Sequence, residues 1–157
     1  ESVLGTAAVM LIICAASAFG YYMSWERLPQ KITEHLLTIT KNPRILLLLI
    51  NGFLLFIGMF IEGTASLIIL TPLLVPAVTA LGIDPIHFGI VMVVNLTIGG
   101  VTPPFGTIMF LVCSILGIPL KDFIKEALPF IAALIIVLLF ITFVPGLVTF
   151  LPNLIMK

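Results

Sequence analysis

Charged residues occupy only a few places along the chain: Glu1, the stretch Glu26 to Arg44, Glu62, Asp84, the stretch Lys121 to Glu126, and Lys157. Between them run charge-free segments, 2–25, 45–61, 63–83, 85–120 and 127–156. A hydrocarbon core about 30 Å thick takes about 20 helical residues to cross, so several of these segments are long enough to span a membrane. Backbone groups left unpaired in lipid are costly, which makes the spans helices. Strands of an outer-membrane barrel alternate polar and apolar positions over about ten residues, and the run Ile131 to Phe143 does not alternate.

The first span covers residues 1–25 and ends in Tyr21, Tyr22 and Trp25, aromatics that favour the membrane interface. Over 26–43, Leu28, Ile32, Leu36 and Ile39 recur at helical spacing, while Lys31, Thr33, Glu34, Thr38 and Lys41 lie elsewhere around the wheel. Pro29 suits a first turn and Asn42-Pro43 ends the helix, which predicts an amphipathic helix lying on the membrane surface. A solvated loop helix is the alternative. Residues 44–83 read as two apolar arms around a small polar tip at 62–66, Glu62-Gly63-Thr64-Ala65-Ser66. That is the pattern of a re-entrant hairpin, although two spans joined by a tight loop share it. Asp84 as N-cap and Pro85 at the first helical position open a helix over 84–117, broken at 99–104 and resuming at Phe105. Gly117 to Glu126 reads as a short polar connection, and 127–151 as the last span, with Pro145-Gly146 near its end.

Composition sharpens this picture. The 157 residues are 61% hydrophobic and 9% charged, against about 25% charged in an average soluble domain. A soluble domain of this size has too much surface to hide so many apolar side chains. Lipid removes the difficulty. The formal charge is zero, which gives no basic face for nucleic acid. Cys14 and Cys113 lie in apolar runs without a metal-binding partner and read as packing residues. No basic segment precedes the apolar run Leu4 to Tyr22, so it reads as a span and not as a signal peptide. Opening on Glu-Ser-Val, the chain reads as a segment of something longer. With no His-Glu metal motif, no GxSxG, and no base evident beside Thr64-Ala65-Ser66, the sequence argues against an enzyme.

The segment Asn95 to Thr107, NLTIGGVTPPFGT, holds the distinctive chemistry. Proline lacks an N–H and clashes with the carbonyl four residues back, so Pro103 and Pro104 are expected to orphan the carbonyls of Gly99 and Gly100. Thr102, preceding proline, is pushed from helical angles, and each glycine weakens the helix by about 1 kcal/mol. A break at this depth is tolerated where it is buried in protein or lines a polar cavity. Its free carbonyls, its half-helix ends and the hydroxyls of Thr97, Thr102 and Thr107 suit a monovalent cation. A proline kink without a ligand is the bland alternative. The tip, with Gly63, Thr64 and Ser66, is a second candidate; Glu62 there faces either a cavity or solvent. Asn51 and Asn95 read as interhelical hydrogen-bonding groups, and His87 as a solvated histidine at the interface.

The residues NGFLLFIGMFIEGTASLIILTPLLVPAVTALGIDPIHFG (51–89) and NLTIGGVTPPFGTIMF (95–110) resemble the large membrane subunit, the DctM-like subunit, of tripartite ATP-independent periplasmic (TRAP) transporters. Leu128-Pro129-Phe130 and the late Pro-Gly fit as well, and the chain corresponds to the subunit's C-terminal part. The resemblance implies an all-α integral membrane protein of the bacterial inner membrane, multi-pass, and half of an inverted-repeat elevator transporter. In it, 1–25 would be a scaffold helix, 26–43 a surface arm helix, 44–83 a re-entrant hairpin, and 84–117 a discontinuous helix. The implied function is sodium-driven import of organic acids, such as sialic acid or C4-dicarboxylates, delivered by a periplasmic substrate-binding protein. The implied partners are the remainder of the large subunit, the small membrane subunit, the organic-anion substrate and the lipid bilayer. By position, the family's sodium (Na+) site maps onto Gly63, Thr64 and Ser66 at the tip and onto Gly99, Gly100, Thr102, Pro104 and Thr107 at the break.

Charge alone orients the chain differently. Arg27, Lys31, Lys41, Arg44 and Lys157 fall on one face and Lys121 and Lys125 on the other, so the positive-inside rule would put the first face in the cytoplasm. The resemblance puts it in the periplasm. A channel, an unrelated transporter module and a non-transporting scaffold subunit are the competing classes.

Overall fold

A computed structural model describes residues 2–155 as eight helices; Glu1 and Lys157 of the charge pattern lie outside the described residues. Helix α1 (Ser2–Trp25) is followed by α2 (Leu28–Ile39), which opens with Pro29 in its first turn and buried. Of the expected apolar stripe of α2, Leu28, Ile32 and Leu36 pack against the main core, whereas Ile39, in the last turn, is exposed with Lys31, Glu34 and His35. Asn42 then caps α3 (Pro43–Phe60), its Oδ1 accepting from the Arg44 N–H at 3.0 Å.

Helices α3 and α4 (Gly63–Ala80) are antiparallel arms joined by Ile61 and Glu62 alone. The polar tip expected at 62–66 is therefore shorter than its sequence suggests, because Glu62 caps α4 and draws Gly63 to Ser66 into the first helical turn. The core lies between α3, α4 and α5 (Pro85–Val101), where Leu46, Leu54, Leu74, Phe88 and Met92 are buried. Asp84 caps α5 through Oδ1, which accepts from the Ile86 and His87 N–H groups at 2.7 and 3.1 Å.

Helix α5 stops at Val101 and the chain becomes helical again at Thr107, as α6 (Thr107–Leu116). Gly117, at φ 65, ends α6 in the left-handed conformation that glycine adopts without steric cost. The last span differs from the expected 127–151. Helix α7 (Leu120–Phe143) takes in Lys121 to Glu126, because charged side chains at a span's end reach water without breaking the helix. It ends before Pro145, whose missing N–H stops the ladder, and α8 (Pro145–Ile155) follows as a separate helix. Helices α3, α4 and α7 are each long and apolar enough to cross a membrane. Large apolar side chains such as Phe56, Phe130, Ile136 and Phe140 are exposed on them, as lipid or further protein segments would require.

Candidate functional site

The break in α5 is built by its two prolines. Thr102 ends the helix with extended backbone (φ −93, ψ 133), as a residue before proline must, and the Pro103–Pro104 bond is cis. Only part of the expected orphaning occurs. The Thr102 N–H donates to the Gly99 carbonyl at 3.0 Å, three residues back, so Gly99 recovers a partner. Thr102 Oγ1 donates in turn to the Ile98 carbonyl at 2.6 Å. The Gly100 carbonyl keeps no backbone donor, because residues three and four positions ahead are both prolines.

Gly106, which nothing in the sequence singles out, shows where these oxygens go. A Cβ there would lie 2.5 Å from the Gly100 oxygen and 2.9 Å from the Thr102 oxygen. Both carbonyls thus converge beside the Gly106 backbone, and only a residue without a side chain fits between them and the start of α6. The signal for it was the glycine two residues past the proline pair, which reads equally well as an ordinary turn residue.

Gly99 and Gly100 have different reasons to be small. A Cβ on Gly99 would stand 2.7 Å from the Gly58 Cα, so this glycine allows α3 and α5 to cross in contact. A Cβ on Gly100 would instead meet the Ile108 side chain at 3.1 Å, across the break.

The tip and the break face one another across a cavity of about 250 Å³, lined by Glu62, Gly63 and Thr64 from the tip and by Gly100 and Thr107 from the break. Leu67, Val93, Leu96, Thr97 and Ile108 complete its wall. Four of the eight expected site residues, Gly63, Thr64, Gly100 and Thr107, therefore share this cavity. Thr102 and Gly99 are buried behind it, and Pro104 is exposed outside its lining. Ser66 is also outside the lining; its Oγ is buried and has no hydrogen-bond partner.

The surrounding helix ends set the local field. The N-termini of α4 and α6 and the C-terminal turn of α5 all reach the cavity, which brings two partly positive ends and one partly negative end together. Glu62 consumes the first. Its Oε1 accepts from the Thr64 N–H and the Thr64 hydroxyl, and its Oε2 from the Ala65 N–H, each at 2.8 Å. No side chain caps α6, whose N-cap is Gly106. The polar side chains of the lining, Glu62, Thr64, Thr97 and Thr107, all carry oxygen and no nitrogen. Among the described residues no three His, Cys, Asp or Glu side chains come together as a metal cluster.

Behind the cavity, α3, α5 and α7 are joined by buried polar contacts. Asn95 Nδ2 donates to the Asn51 carbonyl and to Asn51 Oδ1, at 3.0 and 2.9 Å, and Asn51 Nδ2 donates to Thr142 Oγ1 at 2.8 Å. The two asparagines serve as interhelical hydrogen-bonding groups, and Thr142 is the partner that the sequence did not reveal. His87 is not solvated: it is 1% exposed, and its Nε2 lies 2.9 Å from the Ile141 carbonyl. The cause is Pro145, which sits four residues after Ile141 and offers no N–H to that carbonyl. The histidine supplies the missing donor.

Comparison with known proteins agrees with this architecture. The family model for the DctM component of the tripartite ATP-independent periplasmic transporter matches residues 1–147. The sialic acid TRAP transporter large permease protein SiaM of Vibrio cholerae is 43% identical over 154 residues, 98% of this chain and 36% of that protein. The isethionate TRAP transporter permease protein DctMQ of Oleidesulfovibrio alaskensis is 42% identical, over 93% of this chain and 23% of its own length. The C4-dicarboxylate large permease protein DctM of Pseudomonas aeruginosa is 39% identical, over 94% of this chain and 35% of its own. The chain thus spans about a third or less of these relatives, which are transporter permeases and not enzymes. With the broken α5, the capped hairpin and a family match across nearly its whole length, this chain belongs to the DctM component family of TRAP transporters.

Proposed function

We propose that this chain is the C-terminal part of the large membrane subunit of a sodium-driven importer of organic acids in the bacterial inner membrane. Sialic acid and C4-dicarboxylates, which relatives carry in their names, represent the substrate class. In this reading α3 and α4 form a re-entrant hairpin whose tip lies within the membrane, and the hairpin and the broken helix belong to a domain that moves as an elevator against a scaffold. The remainder of the large subunit, the small membrane subunit and a periplasmic binding protein complete the transporter.

The observation that carries the reading is the cavity between tip and break, with Thr64 on one wall and Gly100 and Thr107 on the other. Sodium takes oxygen ligands, and the Gly100 and Thr102 carbonyls converge at one point, with the hydroxyls of Thr64 and Thr107 on the cavity wall. The unpartnered Ser66 Oγ leaves one more oxygen unspent beside the tip. The uncapped start of α6 offers backbone N–H groups and a partly positive end, which suit the carboxylate of an organic acid. Cation binding would dock the tip on the break and order that anion site.

The test is uptake by the complete transporter in proteoliposomes, with its binding protein present and sodium varied. Uptake should require sodium, and Thr102→Ala should raise the sodium concentration for half-maximal uptake. Pro104→Ala, which lets the helix partly re-form, should do more damage. Sodium-independent uptake by the parent would refute the reading.

A further inference from the structure

We infer that Glu62 is the charge that couples the two ligands: its carboxylate opposes the organic anion until a cation neutralises it. The inference rests on the reading that cation and anion both bind between tip and break. Glu62 lines the same cavity as Thr107 and Ile108 at the uncapped start of α6. All three of its contacts come from donors, two N–H groups and one hydroxyl, and both of its oxygens accept. That is the pattern of an ionised carboxylate. Among the described residues no lysine, arginine or histidine lines the cavity to balance it.

Capping α4 does not require this charge. Ser, Thr and Asn cap helices as well as an acidic residue does and cost less to desolvate. What a charge adds is a dependence between ligands. Without sodium, an organic anion entering the cavity meets a like charge at short range, which the solvent around the exposed Glu62 weakens but does not remove. With sodium held near the tip and the Gly100 carbonyl, the local charge is neutral and the α6 N-terminus dominates the field. Each ligand then strengthens the other by the same factor, because a coupling free energy is reciprocal.

The experiment measures substrate affinity of the complete transporter with and without sodium, in the parent, in Glu62→Asn and in Glu62→Asp. Glu62→Asn keeps a capping side chain and removes the charge. It should bind substrate more tightly than the parent in the absence of sodium, and its sodium-induced gain in affinity should shrink by roughly fivefold or more. Glu62→Asp keeps both charge and cap and should retain most of the gain. Thermal unfolding of each variant reports on the cap separately. A Glu62→Asn protein with the parent's coupling, or with weaker sodium-free binding, would overturn the assignment to Glu62 and leave the site standing. A parent without any coupling would overturn the underlying reading, and this one with it.

Discussion

Gly99 meets Gly58 where α5 crosses α3, so closely that a Cβ on Gly99 would lie 2.7 Å from the Gly58 Cα and 3.1 Å from the Leu55 carbonyl oxygen. The atoms in the way are backbone and cannot rotate aside. Gly99→Ala should therefore destabilise the purified large subunit by about 1–3 kcal/mol, the usual range for overpacking. Gly100→Ala meets the end of the Ile108 side chain, at 3.1 Å, which can move. Thermal unfolding in detergent should rank Gly99→Ala well below Gly100→Ala; equal effects would show that the crossing is looser than described.

The contact between His87 and the Ile141 carbonyl makes a paired prediction. His87→Leu leaves that carbonyl buried without a donor and should cost about 1–3 kcal/mol. Pro145→Ala restores an N–H four residues after Ile141. In the His87→Leu background it should recover part of the loss, while alone it should gain little. Strict additivity of the two changes in unfolding free energy would show that the histidine does not act on that carbonyl.

These two contacts also mark the limit of what the sequence disclosed. The Asp84-Pro85 start, the apolar stripe of α2 and the proline-pair break were legible because each is a local rule about caps, periodicity or missing N–H groups. Tertiary contacts were not. Gly58 looks like any glycine in an apolar run until α5 is laid across it, and Thr142 gains a role only when Asn51 reaches it. His87 looked solvated because it lies near a helix start expected at the interface; the orphan that buries it is made by a proline on another helix. At the break, local rules correctly flagged Gly100, but Thr102 used its own N–H to recover the Gly99 carbonyl.

Gly106 supplies a sharper probe of the break than any hydroxyl. Gly106→Ala drives a methyl group toward the Gly100 and Thr102 oxygens and must displace both. It should raise the sodium concentration for half-maximal uptake by about tenfold or more, equivalent to about 1.4 kcal/mol of cation binding. Thr102→Ala removes a hydroxyl already committed to the Ile98 carbonyl and should have the smaller effect. The reverse order would place the ligands away from these carbonyls.

The claim on which the account turns is that sodium closes the tip onto the break, and the accessibility of the cavity between them reads this out. Leu67 lines that cavity without belonging to the proposed ligands. The measurement is the rate at which a membrane-impermeant thiol reagent labels Leu67→Cys in the complete transporter, in Cys14→Ser and Cys113→Ala background, with sodium replaced stepwise by potassium at constant ionic strength. Labelling should slow as sodium rises, half-maximally at the concentration that half-saturates uptake, and potassium should not substitute. A labelling rate indifferent to sodium, in a protein whose uptake still depends on it, would contradict the account and move the coupling site elsewhere.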